Sequence, residues 1–178
     1  MEKPIRKLSK RGIWGGDILI LVSVGTMGYD FSRFLQIIDE LCDENVIEGS
    51  HIIAQIGVNS YSPKNFKSFD FITHDEYENY LKDADYIITH AGTGSVIPPL
   101  KMGKKLILFP RLAEFSEHLD NHQSELADLL EREGYVLVAK DKESLKKCIN
   151  NVAGFQVKEF KSNTLMFNNL VIDFIEGI

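Results

Sequence analysis

A short run from His90 to Ser95, with the sequence His-Ala-Gly-Thr-Gly-Ser, has residue types that suit phosphate binding. Gly92 and Gly94 let the backbone approach a ligand closely, because neither carries a Cβ. Ser95 can cap a helix or donate to a phosphate oxygen. The alternative is a tight turn with a capping serine, in which His90 is a satisfied buried histidine.

The elements on either side of this run place it at the edge of a sheet. Residues 84–89 are mostly β-branched or apolar, which predicts a buried strand, and residues 96–102 predict a helix that ends at Gly103. The run therefore lies at the carboxyl end of a strand and the amino end of a helix. Unpaired N–H groups and the helix dipole favour an anion there.

A second glycine turn follows the first strand of the chain. Residues 18–24 form an apolar run of strand length, and Gly25 and Thr26 come directly after it. From Phe31 to Leu41 the apolar residues recur at helical spacing. A plain strand-to-helix loop is the alternative. Two such turns favour one shared anionic ligand, whereas the spacing does not support a dinucleotide.

Strands and helices alternate through the rest of the chain, which predicts a parallel sheet with helices on both faces. We expect one domain at 18–178, preceded by a basic leader at 1–17 that is disordered or contacts an anionic membrane surface. The remaining predicted strands are 52–56, 69–72, 105–109 and 136–138. The predicted helices are 75–81, 121–132, 144–152 and about 163–175, and the predicted loops are 58–68 and 111–120.

Charge and cysteine content exclude several classes of protein. The net charge is −6, and because residues 1–11 carry +4, the remainder carries −10. An acidic body argues against nucleic acid as a partner. No apolar run approaches the roughly 18 residues that span a bilayer. Cys42 and Cys148 lie far apart, and no His/Cys cluster has metal-ligand spacing, so we expect no metal site.

The joint order of these motifs resembles the C-terminal, donor-binding half of the family 28 glycosyltransferases. That family has the GT-B architecture of two facing Rossmann-like domains, and this sequence contains only one. The resemblance covers about residues 18–152. It is carried by Val24-Gly25-Thr26, by the His90–Ser95 run, by Gly103-Lys104-Lys105 and by Asn121-His122-Gln123.

We expect this chain to be like the split members of the family, whose two halves are separate chains. In them a soluble subunit binds the nucleotide sugar, and a membrane-anchored subunit holds a lipid-linked acceptor. One split type is the eukaryotic enzyme that adds the second N-acetylglucosamine to a dolichol-linked sugar. Residues 110–118 are similar to the other type, the bacterial pair that acts in capsule or exopolysaccharide synthesis. The resemblance thus implies a cytoplasmic chain, peripheral at the membrane through its partner. A stand-alone transferase on a soluble acceptor and a non-catalytic nucleotide-sugar module are the alternatives.

The resemblance also implies roles for individual residues. The donor is a UDP-sugar, the displacement is inverting, and neither a metal nor a cofactor is needed. We expect His90 to bond a phosphate or orient its loop, and the general base to lie on the partner. We expect Asn121 and Gln123 to bond sugar hydroxyls. The alternatives are that Asn121 caps its helix and that His118 and His122 are surface residues. The expected donor-binding residues are Gly25, Thr26, His90, Gly92, Thr93, Gly94, Ser95, Asn121, His122 and Gln123.

Two further sequence features bear on ribose binding and on docking. Related enzymes often carry a ribose-binding acid three residues after the motif's serine, where this sequence has Pro98. Glu114 and Glu117 are the candidate replacements. The helix at about 163–175 is strongly apolar, so we expect it to dock on the partner subunit, or on a second copy of the chain. The alternative is that it packs on its own sheet.

Overall fold

Six parallel strands form one sheet in the described part of this computed structural model, residues 18–26 and 28–160. The strand order, β3-β2-β1-β4-β5-β6, reverses direction between β1 and β4, which is where open α/β sheets bind their ligands. The strands are β1 (Ile20–Ser23), β2 (Ile52–Gln55), β3 (Lys67–Phe69), β4 (Tyr86–Thr89), β5 (Lys105–Leu108) and β6 (Leu137–Val138). The predicted Rossmann-like parallel sheet is confirmed.

Helices cover both faces of this sheet. Along β1, Ile20 and Val22 face one layer and Leu21 faces the other, as the two-residue period of a strand requires. The first layer holds α1 (Ser32–Asp43) and α5 (Lys142–Val152), and the second holds α2 (His74–Asp83), α3 (Thr93–Lys101) and α4 (His122–Arg132). Short 3₁₀ turns occupy Gly49–His51 and Ala113–Phe115.

The structure corrects two boundaries. The third strand is Lys67–Phe69 and not 69–72, because it is a partly exposed edge strand whose apolar pattern is weak. The helix after the glycine motif begins at Thr93 and not at 96. Gly92 is its N-cap, and no side chain caps it, so Ser95 lies inside the first turn and is not the capping residue.

Two expectations concern segments outside the described residues. The basic leader at 1–17 and the docking helix at about 163–175 both fall there. Among the residues that are described, no helix is long and apolar enough to cross a membrane.

Candidate functional site

The two glycine turns meet at one cavity of about 550 Å³, at the carboxyl ends of β1 and β4. The parallel pairing of β1 with β4 brings their ends side by side, and each end continues into a turn. Seven of the predicted donor-binding residues border this cavity, which we call the donor cavity: Gly25, Thr26, His90, Gly92, Thr93, Gly94 and Ser95.

His90 is the residue around which both turns are built. Its side chain is only 6 % exposed. Nδ1 accepts a hydrogen bond from the Gly92 N–H at 3.1 Å, and Nε2 lies 3.0 Å from Ser95 Oγ. A Cβ on Gly25 would lie 2.4 Å from Nε2, and one on Gly92 would lie 2.3 Å from Cε1. Both glycines are therefore required by the packing of the imidazole.

The hydrogen bonds define the protonation of this imidazole. Burial, together with the nearby charge of Arg111, lowers the pKa of His90 to about 4, so the ring is neutral at pH 7. Because Nδ1 accepts from Gly92, the single proton lies on Nε2 and is donated to Ser95 Oγ. The Ser95 hydroxyl hydrogen is then free to point at a ligand. We expect His90 either to bond a phosphate or to orient its loop, and this geometry fits the second role.

The donor cavity suits an anion. Gly92 has extended backbone, so α3 begins at the cavity wall with the N–H groups of Thr93 and Gly94 unused by the helix. These groups stand at the positive end of the helix dipole. Among the described residues, no Asp or Glu borders the cavity. A phosphate would therefore meet hydrogen-bond donors and no repelling carboxylate.

Sequence reasoning missed the opposite wall of this cavity. Ser23 and Gln55 end β1 and β2, and Ile72 and Tyr77 lie in and after the loop to α2. Ser23 and Gln55 could have been found from the sequence, since both come at the carboxyl ends of predicted strands. Nothing in the local pattern marks Ile72 or Tyr77, because only the parallel pairing of the strands brings them here.

The residues predicted to contact the sugar lie outside this cavity. Gln123 is 6 % exposed, and its Oε1 accepts from the Arg111 N–H at 3.2 Å. The Gln123 side chain also acts to raise the pKa of His90, against the lowering caused by burial.

Asn121 and His122 also lie outside the donor cavity. Asn121 Oδ1 accepts from the Ala113 N–H at 3.0 Å and does not cap α4. It borders a second cavity of about 580 Å³, beyond β5 and β6. His122 is exposed, and its Nδ1 lies 2.9 Å from Asp120 Oδ2. The same carboxylate contacts His118 Nδ1 at 3.0 Å.

Neither acid suggested as a ribose ligand borders the donor cavity. Glu117 is buried and bound through both oxygens by Arg33, at 2.8 Å each. Glu114 borders the second cavity. No cluster of three or more His, Cys, Asp or Glu suited to a metal ion occurs in the described ranges.

A scan against protein-family models matches residues 19–171 to the glycosyltransferase family 28 C-terminal domain. The chain belongs to this family. The match covers most of the chain and both glycine turns, so the resemblance deduced from the motifs is confirmed.

The curated relatives include proteins from several organisms that share the name "UDP-N-acetylglucosamine transferase subunit ALG13". The mouse protein is 30 % identical over 123 residues, which is 65 % of this chain and 10 % of the relative. The Yarrowia lipolytica protein is 38 % identical over 71 residues, 40 % of this chain and 34 % of the relative. The chain thus spans about a tenth of the mouse protein and a third of the fungal one. Both are eukaryotic, so the bacterial capsule type stays a prediction.

Solved structures agree with the fold. The solution structure of ALG13 has a TM-score of 0.59 at 22 % identity, covering 89 % of this chain and 96 % of that one. The kitacinnamycin glycotransferase also has a TM-score of 0.59, at 19 % identity, covering 86 % of this chain but 38 % of that one. At these identities the likeness establishes the fold, which is the one expected for half of a GT-B enzyme.

Proposed function

We propose that this chain is the donor-binding part of a two-part glycosyltransferase, and that its donor is a UDP-sugar. The observation that carries the proposal is the convergence of two glycine turns and a helix N-terminus on one cavity whose described lining residues include no carboxylate. Membership of family 28 supports sugar transfer. The names of the relatives support UDP as the nucleotide and a second subunit as the partner.

The donor cavity would hold the nucleotide through its phosphates. The Ser95 hydroxyl, freed by its contact with His90, donates to one phosphate oxygen. The N–H groups at the start of α3 and in the turn at Gly25 donate to others. The uridine then lies toward Ile72 and Tyr77, on the apolar side of the cavity.

These donors would also serve the chemical step. An acceptor hydroxyl attacks the anomeric carbon from the face opposite the UDP, its proton passes to a base, and the bond from carbon to the phosphate oxygen breaks with inversion. Negative charge grows on the departing diphosphate, where fixed N–H and O–H donors stabilise it. Such donors remove the need for a divalent ion. The base belongs to the acceptor-binding subunit in this proposal.

The acceptor and the location follow from the same two-part scheme. A membrane-anchored partner would present a lipid-linked sugar, and this chain would be peripheral at the cytoplasmic face through that partner. The similarity of residues 110–118 to the bacterial pair favours a product for capsule or exopolysaccharide. The relatives instead favour an acceptor like that of ALG13, and an assay on lipid extracts separates the two.

Isothermal titration of the purified chain tests donor binding. We expect UDP and at least one UDP-sugar to bind, and ADP at the same concentration to bind much more weakly. Absence of UDP binding by the folded chain would reject the donor assignment.

Capture of a membrane protein tests the two-part scheme. The tagged chain is purified from membranes of its own cells, and the complex is supplied with radiolabelled UDP-sugar and a lipid extract. Label in the lipid phase supports the transferase. UDP-sugar binding without transfer by the complex would favour the non-catalytic module.

A further inference from the structure

Arg111 is a buried cation that neither the motifs nor the family match explains. It is 1 % exposed and is the largest fully buried side chain in the described part of the chain. Its guanidinium lies 4.5 Å from the centre of the Phe31 ring. Each hydrogen bond of this guanidinium found among the described residues goes to a main-chain carbonyl. Arginine is rarely buried in this way without a specific task.

Two of these carbonyls bracket the first glycine turn. Nη2 donates to the carbonyl of Val24 at 2.8 Å, and Nη1 donates to that of Tyr29 at 2.9 Å. Gly25 and Thr26, which border the donor cavity, lie between the two. One rigid guanidinium therefore holds both ends of the turn at a fixed separation.

The bond to Val24 also fixes the direction of the next N–H group. In a trans peptide the carbonyl and the following N–H point in opposite directions, and the described peptides are all trans. Because the Val24 carbonyl points at Arg111, the Gly25 N–H points the other way, toward Ser23 Oγ at 3.3 Å. Ser23 borders the donor cavity. This long hydrogen bond is one that an incoming phosphate oxygen can replace.

The main chain of Arg111, and not its guanidinium, leads toward the second turn. The Arg111 N–H donates to Gln123 Oε1, and Gln123 acts to raise the pKa of His90. Of the nearby carboxylates, Glu117 is bound by Arg33, and Asp30 accepts from Ser60. The charges of Glu117 and Asp30 also act on the Arg111 guanidinium, but its positive charge still helps to lower the pKa of His90, which borders the donor cavity.

We infer that Arg111 is a positioning residue for the donor diphosphate: its guanidinium orients the Gly25 N–H toward the cavity and fixes both ends of the first glycine turn. The inference rests on the proposed function, since it presupposes that a diphosphate occupies the donor cavity. Arg111 itself touches the main chain and not the ligand.

Titration of UDP and uridine against Arg111→Lys and Arg111→Met tests this role. Lysine keeps the charge but cannot hold two carbonyls in a fork. We expect both variants to bind UDP about tenfold more weakly, as loss of one charge-assisted hydrogen bond would produce. Uridine affinity should change less than about twofold, because only the phosphates use the turn. Arg132→Met, at an exposed arginine on α4, should bind both ligands as the unchanged chain does.

The results of this titration distinguish a failure of the Arg111 inference from a failure of the proposed function. If the unchanged chain does not bind UDP, the proposed function fails. If it binds UDP and the folded variants bind UDP equally well, or lose UDP and uridine in parallel, the positioning role is rejected. If both variants unfold, the NMR signal of the Gly25 amide in the unchanged chain provides the test. UDP should shift it strongly and uridine should not, and an unmoved signal overturns the inference.

Discussion

Gly94 has open space around it, in contrast to the other glycines of the donor cavity. A Cβ built on Gly94 meets no heavy atom within 4 Å, whereas one on Gly92 would collide with His90. Gly94→Val should therefore fold, but its branched side chain would fill the place of a phosphate. We expect UDP binding to fall below detection in isothermal titration, with an unchanged circular dichroism spectrum.

Gly154→Val is the matched control for this change. Gly154 follows α5, and an added Cβ there would make only an ordinary contact, 3.8 Å from the Asn151 carbonyl. The control should bind UDP normally. Undiminished UDP affinity in folded Gly94→Val would mean that the phosphates lie elsewhere.

His90 should make the stability of the fold depend on pH. Its pKa is about 4 in the folded chain and about 6.5 when unfolded, so between these values the unfolded state binds more protons. The stabilisation is fully present above about pH 6.5 and is lost as the pH falls toward 4. The loss should reach about 3 kcal/mol at most, measured as the free energy of unfolding in urea.

His90→Asn provides the comparison, since its amide oxygen can still accept from the Gly92 N–H and does not titrate. The variant will be less stable at every pH because it leaves a cavity. Its free energy of unfolding should nevertheless fall less steeply between pH 6.5 and 4 than that of the unchanged chain. Equal slopes would show that another group is responsible.

At the scale of elements, α3 contains two prolines where a helix rarely tolerates them. Pro98 and Pro99 remove the hydrogen bonds to the carbonyls of Gly94 and Ser95. Pro98 is exposed and lies one turn after Gly94, on the same face of α3, although only Gly94 borders the donor cavity. A carboxylate at this position would be able to accept from ribose hydroxyls.

Pro98→Glu should therefore bind UDP more tightly than the unchanged chain, by about threefold to tenfold for one added hydrogen bond. The gain should be small for 2′-deoxy-UDP, which lacks one of the hydroxyls. Pro98→Ala restores the same main-chain N–H without a carboxylate and serves as the control. If alanine and glutamate give the same affinities, the side chain does not reach the ribose.

The core elements were predictable because their signals are local. The apolar runs at β1, β4 and β5 are buried on both sides and match their predicted positions closely. The predicted helix at 144–152 begins two residues earlier, at Lys142, where the Asp141 side chain accepts from the Ser144 N–H and caps α5. The edge strand β3 was misplaced because its residues are exposed or half-buried, so burial leaves little periodicity in the sequence.

The candidate site was predictable where it consists of main chain. The turns at Gly25 and at 92–95 border one cavity as expected, since glycine and strand ends are visible in a sequence. The contacts of Asn121 and Gln123 were not predictable. The first is used by the Ala113 N–H and the second by the Arg111 N–H, and both partners lie in a loop whose path depends on a buried cation.

For the molecule as a whole, the distribution of charge gives a prediction about divalent ions. The body of the chain is strongly acidic, yet the donor cavity has no Asp or Glu among its described lining residues. Its donors are main-chain N–H groups and hydroxyls, and these act on a diphosphate directly. UDP affinity should therefore be the same in excess chelator and in magnesium, within about twofold.

Transfer by the captured complex should likewise continue in chelator, provided that the partner brings no metal of its own. A matched titration of UMP distinguishes a metal that bridges the two phosphates from one that acts elsewhere. If magnesium raised the affinity for UDP and not for UMP, a metal-bound diphosphate would be the species recognised. The neutral donors of the two turns would then be insufficient for the leaving group, and metal-independent displacement would be rejected.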